Sequence, residues 1–345
     1  MIPSQYILSL AMIPLLSLLV LVGYYVFIPD GFRGSHGKYR INELIIGSAI
    51  YMLPVTLVYF LVDMQAAITD LLGISSYVNY ATYLIMIEGN IVSYFQNIAT
   101  PSLTYISSVI YLLGFPFLLV FTFFILVYTR KFKALEEYII AFVLIYIIAY
   151  PVFVFFPVKV TGHTLQSVEP LLYNLSPIIV HGIEMSDPGL NNCLPSLHTA
   201  MSMMAMMIAT FRTNFLRYKL FSIVVTTSIL FTILYLGIHW ITDMVAGIAL
   251  ALIVYLIVTR YRDTIIKLPT KILSFFGEKF GMSDSSITVL CINCSFEIPV
   301  EYLPLQSVKS TQCPYCNTVQ EYHPLAHMLE QQIKTRFSKK SRSEN

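Results

Sequence analysis

Apolar runs of about twenty residues recur along this chain, and that is the length a helix needs to cross the roughly 30 Å hydrocarbon core of a bilayer. Seven can be read: Tyr6 to Ile28, Leu44 to Val62, Tyr105 to Tyr128, Tyr138 to Pro157, Ser196 to Phe211, Leu220 to Leu236 and Trp240 to Val258. Within a bilayer every backbone N–H and C=O must find its partner in the protein, so such runs are confined to helices. Composition agrees, with 57% of residues hydrophobic and 12% charged, against about a quarter charged in soluble domains. The expected fold class is an all-α polytopic membrane protein of about seven transmembrane helices. The first run has neither a basic leader nor a small-residue cleavage site, and reads as a retained span rather than a signal peptide.

The net charge of +2 says little about partners, but the placement of the charges says more. Arg33, Lys38 and Arg40 follow the first run, Arg130, Lys131 and Lys133 the third, Arg212, Arg217 and Lys219 the fifth, and Arg260 and Arg262 the seventh. By the positive-inside rule these four loops are cytoplasmic, which predicts a multi-pass cell-membrane protein with its N-terminus outside and its C-terminus in the cytoplasm. The segments on the other side carry one basic residue, Lys159. A lysine snorkelling from the end of a span is the ordinary reading of that residue; an anion-binding role competes with it. The outer stretch from Met64 to Thr100 is too polar to span and rich in tyrosine, which predicts one or two interfacial helices serving as a lid or as plain packing.

Two histidines stand at the outer mouths of these runs: His198 in Pro195-Ser196-Leu197-His198 and His239 in His239-Trp240-Ile241-Thr242-Asp243. A charged side chain at the centre of a membrane helix costs about 2.5 to 3.5 kcal/mol, so ionisable groups at matching depths point to a shared site. His239 and Asp243 are four apart, which on a helix places them on one face. The carboxylate can then hold one imidazole nitrogen and leave the other as a nucleophile or base. Gly247 continues this face and admits a neighbouring helix. In the other motif Pro195 can open a helix and Ser196 can cap it, and the first-turn N–H groups suit an anion such as phosphate. Each motif alone also reads as structure, an interhelical pair or a capped helix with an incidental histidine; together at one membrane face they favour a site. The outer loop adds His163, Glu169, His181, Glu184 and Asp187, which suit the hydroxyls of a second substrate, although a solvated loop accounts for them as well. Cys193 reads as a packed small residue.

These two stretches resemble the second and third signature motifs of the type 2 phosphatidic acid phosphatase superfamily. The Pro-Ser-Leu-His form, and the run Tyr235-Leu236-Gly237-Ile238-His239-Trp240 through Asp243, are similar to its inositol phosphorylceramide synthase branch, over roughly Tyr138 to Val258. The resemblance implies a six-helix phosphatase-like core and a two-step phosphoryl transfer through a phosphohistidine, with no cofactor for catalysis. It assigns His239 as nucleophile, Asp243 as its orienting acid and His198 as proton donor and acceptor. It further implies that Ser196 and nearby backbone N–H groups hold the phosphate oxygens, with Lys159 as counter-charge. Much of the superfamily has a lysine and an arginine in a first motif, and an arginine six residues before the third-motif histidine, where this chain has Ile233. Either Tyr235 and His163 join Lys159 as neutral donors, or the substrate is a less charged phosphodiester. The expected reaction moves a phosphorylated headgroup between a membrane lipid phosphate and a polyol such as inositol at the outer leaflet. Hydrolysis of a lipid phosphate or polyprenyl diphosphate is the alternative by the same chemistry. A transporter or scaffold using the two histidines and Asp243 as a proton relay is the alternative of another class, without the repeat symmetry such proteins usually show.

Beyond about Lys267 the composition turns polar. Cys291-Ile292-Asn293-Cys294 and Cys313-Pro314-Tyr315-Cys316, with eighteen residues between them, have zinc-ribbon spacing. Four thiolates predict a closed structural zinc site, with short strands expected around Phe296 to Tyr302. Disulfides are the competing reading, disfavoured in a reducing cytoplasm. So small a ribbon draws much of its folding energy from metal, and its role is expected to be contact with a protein partner. No dense basic patch points to nucleic acid, and the Lys334 to Arg342 cluster suits anionic headgroups of the inner leaflet. The domains expected are a transmembrane domain at 1–262, a linker at 263–286, a ribbon at 287–323 and a basic tail at 324–345.

Overall fold

Long apolar stretches become long helices in the structure, a computed structural model that describes residues 4–35, 52, 54–62, 64–74, 79–185, 187, 189–279, 287–291, 293–294, 296–300 and 308–322. The principal helices are α1 (Ser4–Phe27), α2 (Pro101–Tyr128), α3 (Phe132–Phe155), α4 (Leu197–Arg212), α5 (Leu216–Tyr235) and α6 (Ile241–Lys279). Among the described residues, five helices are long and apolar enough to cross a membrane: Leu10–Phe27 within α1, then α2, α3, α5 and Ile241–Lys267 within α6. That is the make-up of a multi-pass membrane protein. The other two expected spans differ for separate reasons. Residues 54–62 are helical, but the first half of the Leu44 to Val62 stretch lies outside the described residues. The Ser196 to Phe211 stretch is α4, whose 16 residues rise about 24 Å, short of a bilayer core. Its Met201, Met204, Met207 and Ile208 are buried, so α4 is an interior helix walled by protein.

The chain divides into two compact units. The first comprises Met1–Phe27, Val55–Thr122 and Ala141–Leu256. Part of its core is an aromatic cluster in which Phe27 meets Phe121, Tyr218 and Phe221 at ring separations of 4.7 to 5.5 Å. The Tyr218 hydroxyl finds a partner in Thr122 Oγ1 at 2.6 Å, which satisfies a polar atom that burial would otherwise leave costly. Helix α2 is interrupted by a π turn at Ile110–Gly114. Short helices Gln65–Leu71, Ala81–Glu88 and Ile91–Ile98 occupy the tyrosine-rich stretch. Met86, Ile87 and Tyr94 there are each about 70% exposed, an apolar face suited to a membrane interface.

The second unit comprises Ile28–Pro54, Phe123–Ile140 and Ile257–Asn345. Helix α3 begins six residues before the apolar run at Tyr138, because Glu136 and Glu137 are buried rather than solvated and Glu136 faces Arg262 at 3.6 Å. Helix α6 runs on to Lys279, so most of the expected linker is helical; Ile265, Ile266, Ile272 and Phe276 continue a helical apolar period. Two antiparallel hairpins follow: β1 (Ile287–Leu290) with β2 (Glu297–Val300), and β3 (Lys309–Gln312) with β4 (Val319–Tyr322). Gln320 ties them by donating to the Leu290 carbonyl at 2.9 Å, and the Lys133 N–H at the start of α3 donates to Glu321. The basic tail lies outside the described residues.

Candidate active site

The turn between α5 and α6 is held from several sides before it presents a functional group. Gly237 adopts φ +75°, where a Cβ would meet the Glu169 carbonyl at 2.7 Å, and its own carbonyl accepts the Gly162 N–H. Trp240 is buried and donates through Nε1 to the Lys159 carbonyl at 2.9 Å. The backbone N–H groups of Ile238 and His239 both reach the Ile233 carbonyl. His239 therefore lies in the approach to α6, two residues before its first turn, rather than on the helix as the four-residue spacing suggested. The pairing survives this shift because Asp243 sits in the first helical turn and reaches back: His239 Nδ1 and Asp243 Oδ2 are 3.0 Å apart.

Helix α4 brings the second histidine to the same point. The Ser196 side chain accepts the Thr199 N–H at 3.3 Å as an N-cap, and the Ser196 N–H donates to the Asp243 carbonyl at 3.1 Å. Gly247 permits this approach, since a Cβ there would fall 2.6 Å from the Ser196 carbonyl oxygen. His198 consequently places Nδ1 3.1 Å from His239 Nε2. Three groups distant in sequence form one chain, Asp243 to His239 to His198. If Asp243 accepts the Nδ1 proton, His239 Nε2 is the acceptor of the second bond and His198 the donor. Burial pushes the His239 imidazole down from its usual value to about 3, which keeps the ring neutral with a lone pair on Nε2.

Both histidines open onto a cavity of about 410 Å³. One end is polar, with Asp187, Tyr111, Tyr173, Gln65 and Asn192; elsewhere apolar side chains such as Leu8, Leu119 and Phe142 line it. No lysine or arginine is among the described residues that line it. Tyr111 comes from the π turn of α2 and packs its ring 4.8 Å from that of His198. The other expected binding residues lie beside the cavity rather than on its wall. Lys159 is engaged through its backbone, by Trp240 and by Asn79. His163 rests on Tyr173, ring to ring at 4.9 Å, and its imidazole is pushed down by the partial burial of the ring and by the nearby Lys159 charge. The buried Tyr235 spends its hydroxyl on Thr104 at 2.8 Å. Cys193 is buried and donates to the Ile238 carbonyl, in keeping with a packing role, although its Sγ, a His239 nitrogen and an Asp243 oxygen all lie within 4.8 Å of one another.

Glu88 escaped the sequence analysis. Its buried carboxylate accepts the N–H of Ile241 at 3.1 Å and the N–H and hydroxyl of Thr242 at 2.7 Å, capping the helix that carries Asp243. Gln96 acts nearby, donating to the Glu169 and Tyr235 carbonyls and accepting the Glu169 N–H. The interfacial stretch thus buttresses the His239 turn. A lone carboxylate within an apolar stretch was the available signal for Glu88.

A family model described as the PAP2 superfamily matches residues 85–257, half of the chain. The chain belongs to the PAP2 superfamily. No curated protein and no solved structure matches it. The matched region holds His198, His239 and Asp243 together with Glu88 and Asp187. PAP2 membership supports a lipid enzyme of the phosphatase or phosphotransferase type.

In the second unit the four cysteines of the two hairpin turns converge. Cys291 and Cys316 Sγ are 3.4 Å apart and Cys294 and Cys313 Sγ 3.5 Å, with all four within 4.8 Å of one another. A disulfide requires about 2.05 Å, whereas a tetrahedral thiolate site with metal–sulfur bonds of about 2.3 Å separates sulfurs by about 3.8 Å. The cluster could hold a metal ion, and its donor set fits zinc.

Proposed function

We propose that this protein is a membrane phosphotransferase that moves a phosphorylated headgroup from a lipid phosphodiester to a polyol through a phosphohistidine on His239. The observation that carries this reading is the unbroken chain Asp243–His239–His198 opening onto the cavity. Asp243 holds Nδ1 of His239 and so leaves Nε2 to attack phosphorus, with the neutral ring kept nucleophilic by burial. An entering phosphate takes the place of the bond between the two histidines, and its negative charge favours the imidazolium form of His198. His198 then gives its proton to the leaving oxygen as the P–O bond breaks. In the second step it removes the proton of the acceptor alcohol, whose oxygen attacks phosphorus and releases Nε2. The first turn of α4, capped by Ser196, lies beside the reacting group with N–H groups suited to the equatorial oxygens.

The absence of lysine and arginine among the described residues of the cavity wall supports a singly charged phosphodiester as donor over a monoester dianion or diphosphate, each of which needs more compensating charge. The apolar remainder of the wall suits an acyl chain. Loop charges support an active site at the outer leaflet, with the N-terminus outside and the C-terminus cytoplasmic. The chemistry described uses no metal, and zinc on the four cysteines serves the folding of the hairpins. The remaining proposals are a protein partner for the ribbon and no nucleic acid.

The test is turnover of a glycerophospholipid labelled at its phosphorus by the purified full chain in nanodiscs, with and without inositol, against His239→Asn. Transfer of label to inositol and acid-labile, base-stable label on His239 are expected, both lost in the variant. Release with water alone would reassign the protein as a hydrolase; no turnover, or full turnover in His239→Asn, would overturn the mechanism.

A further inference from the structure

The polar end of the cavity holds a group that phosphate chemistry does not ask for. Asp187 is a carboxylate on the wall of the cavity that also exposes His198 and His239, where an anionic substrate would meet it with like charge. It is fixed in place: the N–H of Asn191 donates to Oδ1 and that of Asn192 to Oδ2, each at 3.2 Å. These bonds use two of its roughly four lone-pair sites. Gln65 and Asn192 form a reciprocal amide pair on the same wall, at 2.8 and 3.2 Å. Tyr111 and Tyr173 also line this end, and both lie within electrostatic reach of Asp187.

We propose that Asp187, with the hydroxyls of Tyr111 and Tyr173, forms the acceptor subsite and holds an uncharged polyol with one hydroxyl beside His239. The proposal rests on the phosphotransfer reading and names the residues that choose an alcohol. The wall mixes an acceptor-only carboxylate, phenols that donate and accept, and carboxamides that do both. A polyol hydroxyl likewise donates and accepts, whereas an ammonium headgroup only donates and would leave the phenol and amide protons without acceptors. Burial holds the Tyr173 phenol protonated, so it remains a donor. In the transfer step Asp187 accepts from a neighbouring hydroxyl of the polyol, while the proton of the reacting hydroxyl passes to the neutral His198. The oxygen bonds to phosphorus, the P–N bond breaks, and its electron pair returns to Nε2 of His239. Asp187 exchanges no proton in this step and acts by binding.

The test compares Michaelis constants for inositol and for the labelled phospholipid in the full chain in nanodiscs, for wild type, Asp187→Asn and Tyr173→Phe. The expected result is a rise in the inositol KM of tenfold or more in Asp187→Asn and severalfold in Tyr173→Phe, with the donor KM moving by less than twofold. Tyr173→Phe keeps the ring and decides the matter if Asp187→Asn does not fold. An unchanged inositol KM, equal rises in both constants, or competition by choline that Asp187→Asn relieves would overturn the subsite. If wild type transfers to no alcohol, the phosphotransfer reading itself has failed; if wild type transfers and the inositol KM ignores both variants, only the subsite has.

Discussion

His239 is gripped at both ring nitrogens, Nδ1 by Asp243 at 3.0 Å and Nε2 by His198 at 3.1 Å. In the proposed mechanism the first contact sets the tautomer and the second occupies the attacking atom. Asp243→Asn preserves the shape but offers an amide N–H to Nδ1, which moves the ring proton to Nε2 and removes its lone pair. Loss of about 10³ to 10⁴ in kcat is expected with little change in KM, as for a triad carboxylate replaced by its amide. Steady-state kinetics check this, and a loss under tenfold would mean that the carboxylate does not set the tautomer.

Glu88 binds two backbone N–H groups and the Thr242 hydroxyl at the start of α6. Glu88→Ala removes both acceptor oxygens, and with them all three bonds, and is expected to destabilise the protein by about 1 to 3 kcal/mol and to slow turnover about tenfold. Glu88→Gln keeps acceptor oxygen and should recover much of both. Melting in detergent, read beside kcat, separates a cap from a bystander.

At Gly247 an added methyl group would press on the Ser196 carbonyl, a backbone atom that cannot swing aside. Gly247→Ala should cost about 1 to 3 kcal/mol by overpacking. Because the same contact sets the approach of α4 to α6, kcat should fall by up to about 10²-fold through misplacement of His198. Wild-type kcat in a stably folded Gly247→Ala would show that the approach is not needed.

The four cysteines should bind one zinc per chain, measurable by metal analysis of protein washed free of loose ions. Cys313→Ser should remove the metal and expose the segment 287–322 to proteolysis, since so short a pair of hairpins has little core of its own. Phosphoryl transfer is expected to persist under chelator, because the mechanism proposed for His239 draws on no metal.

The native state holds His239 down at about 3, whereas the unfolded chain takes up that proton near 6.5. Between those values the unfolded state binds more protons than the native state, so stability falls as pH falls from about 6.5 towards 3. His239→Asn removes this contribution. Its melting temperature should drop less than that of wild type between pH 7.5 and 5, and parallel curves would show that His239 is protonated in the native state.

Much of the candidate site's geometry was legible in the sequence because its motifs are local. The motif holding His239 and Asp243, the Ser196 cap and the paired cysteines each lie within a few residues, and short-range spacing limits what a backbone can do with them. Residues reached across the fold were not legible in that way. Glu88 contacts a turn more than 150 positions away, and Tyr111 meets His198 from a π turn in a separate helix. Tyr235 illustrates the reverse, since its hydroxyl, close to the motif in sequence, is taken up by Thr104 in the core.

The sequence by itself determined that this chain makes apolar helices, that two histidines and an aspartate sit at the ends of such helices, and that four cysteines form two knuckles. Those are consequences of composition and near-neighbour geometry. Tertiary structure decided which groups share a cavity: His198 and His239 in hydrogen-bonding contact, Asp187 on the same wall, and no lysine or arginine among the described residues that line it. Side chains from separate helices are brought together by packing at Gly247, by the Glu88 cap and by the backbone bonds of the α5–α6 turn. These contacts join distant parts of the chain, and neighbouring residues alone do not specify them.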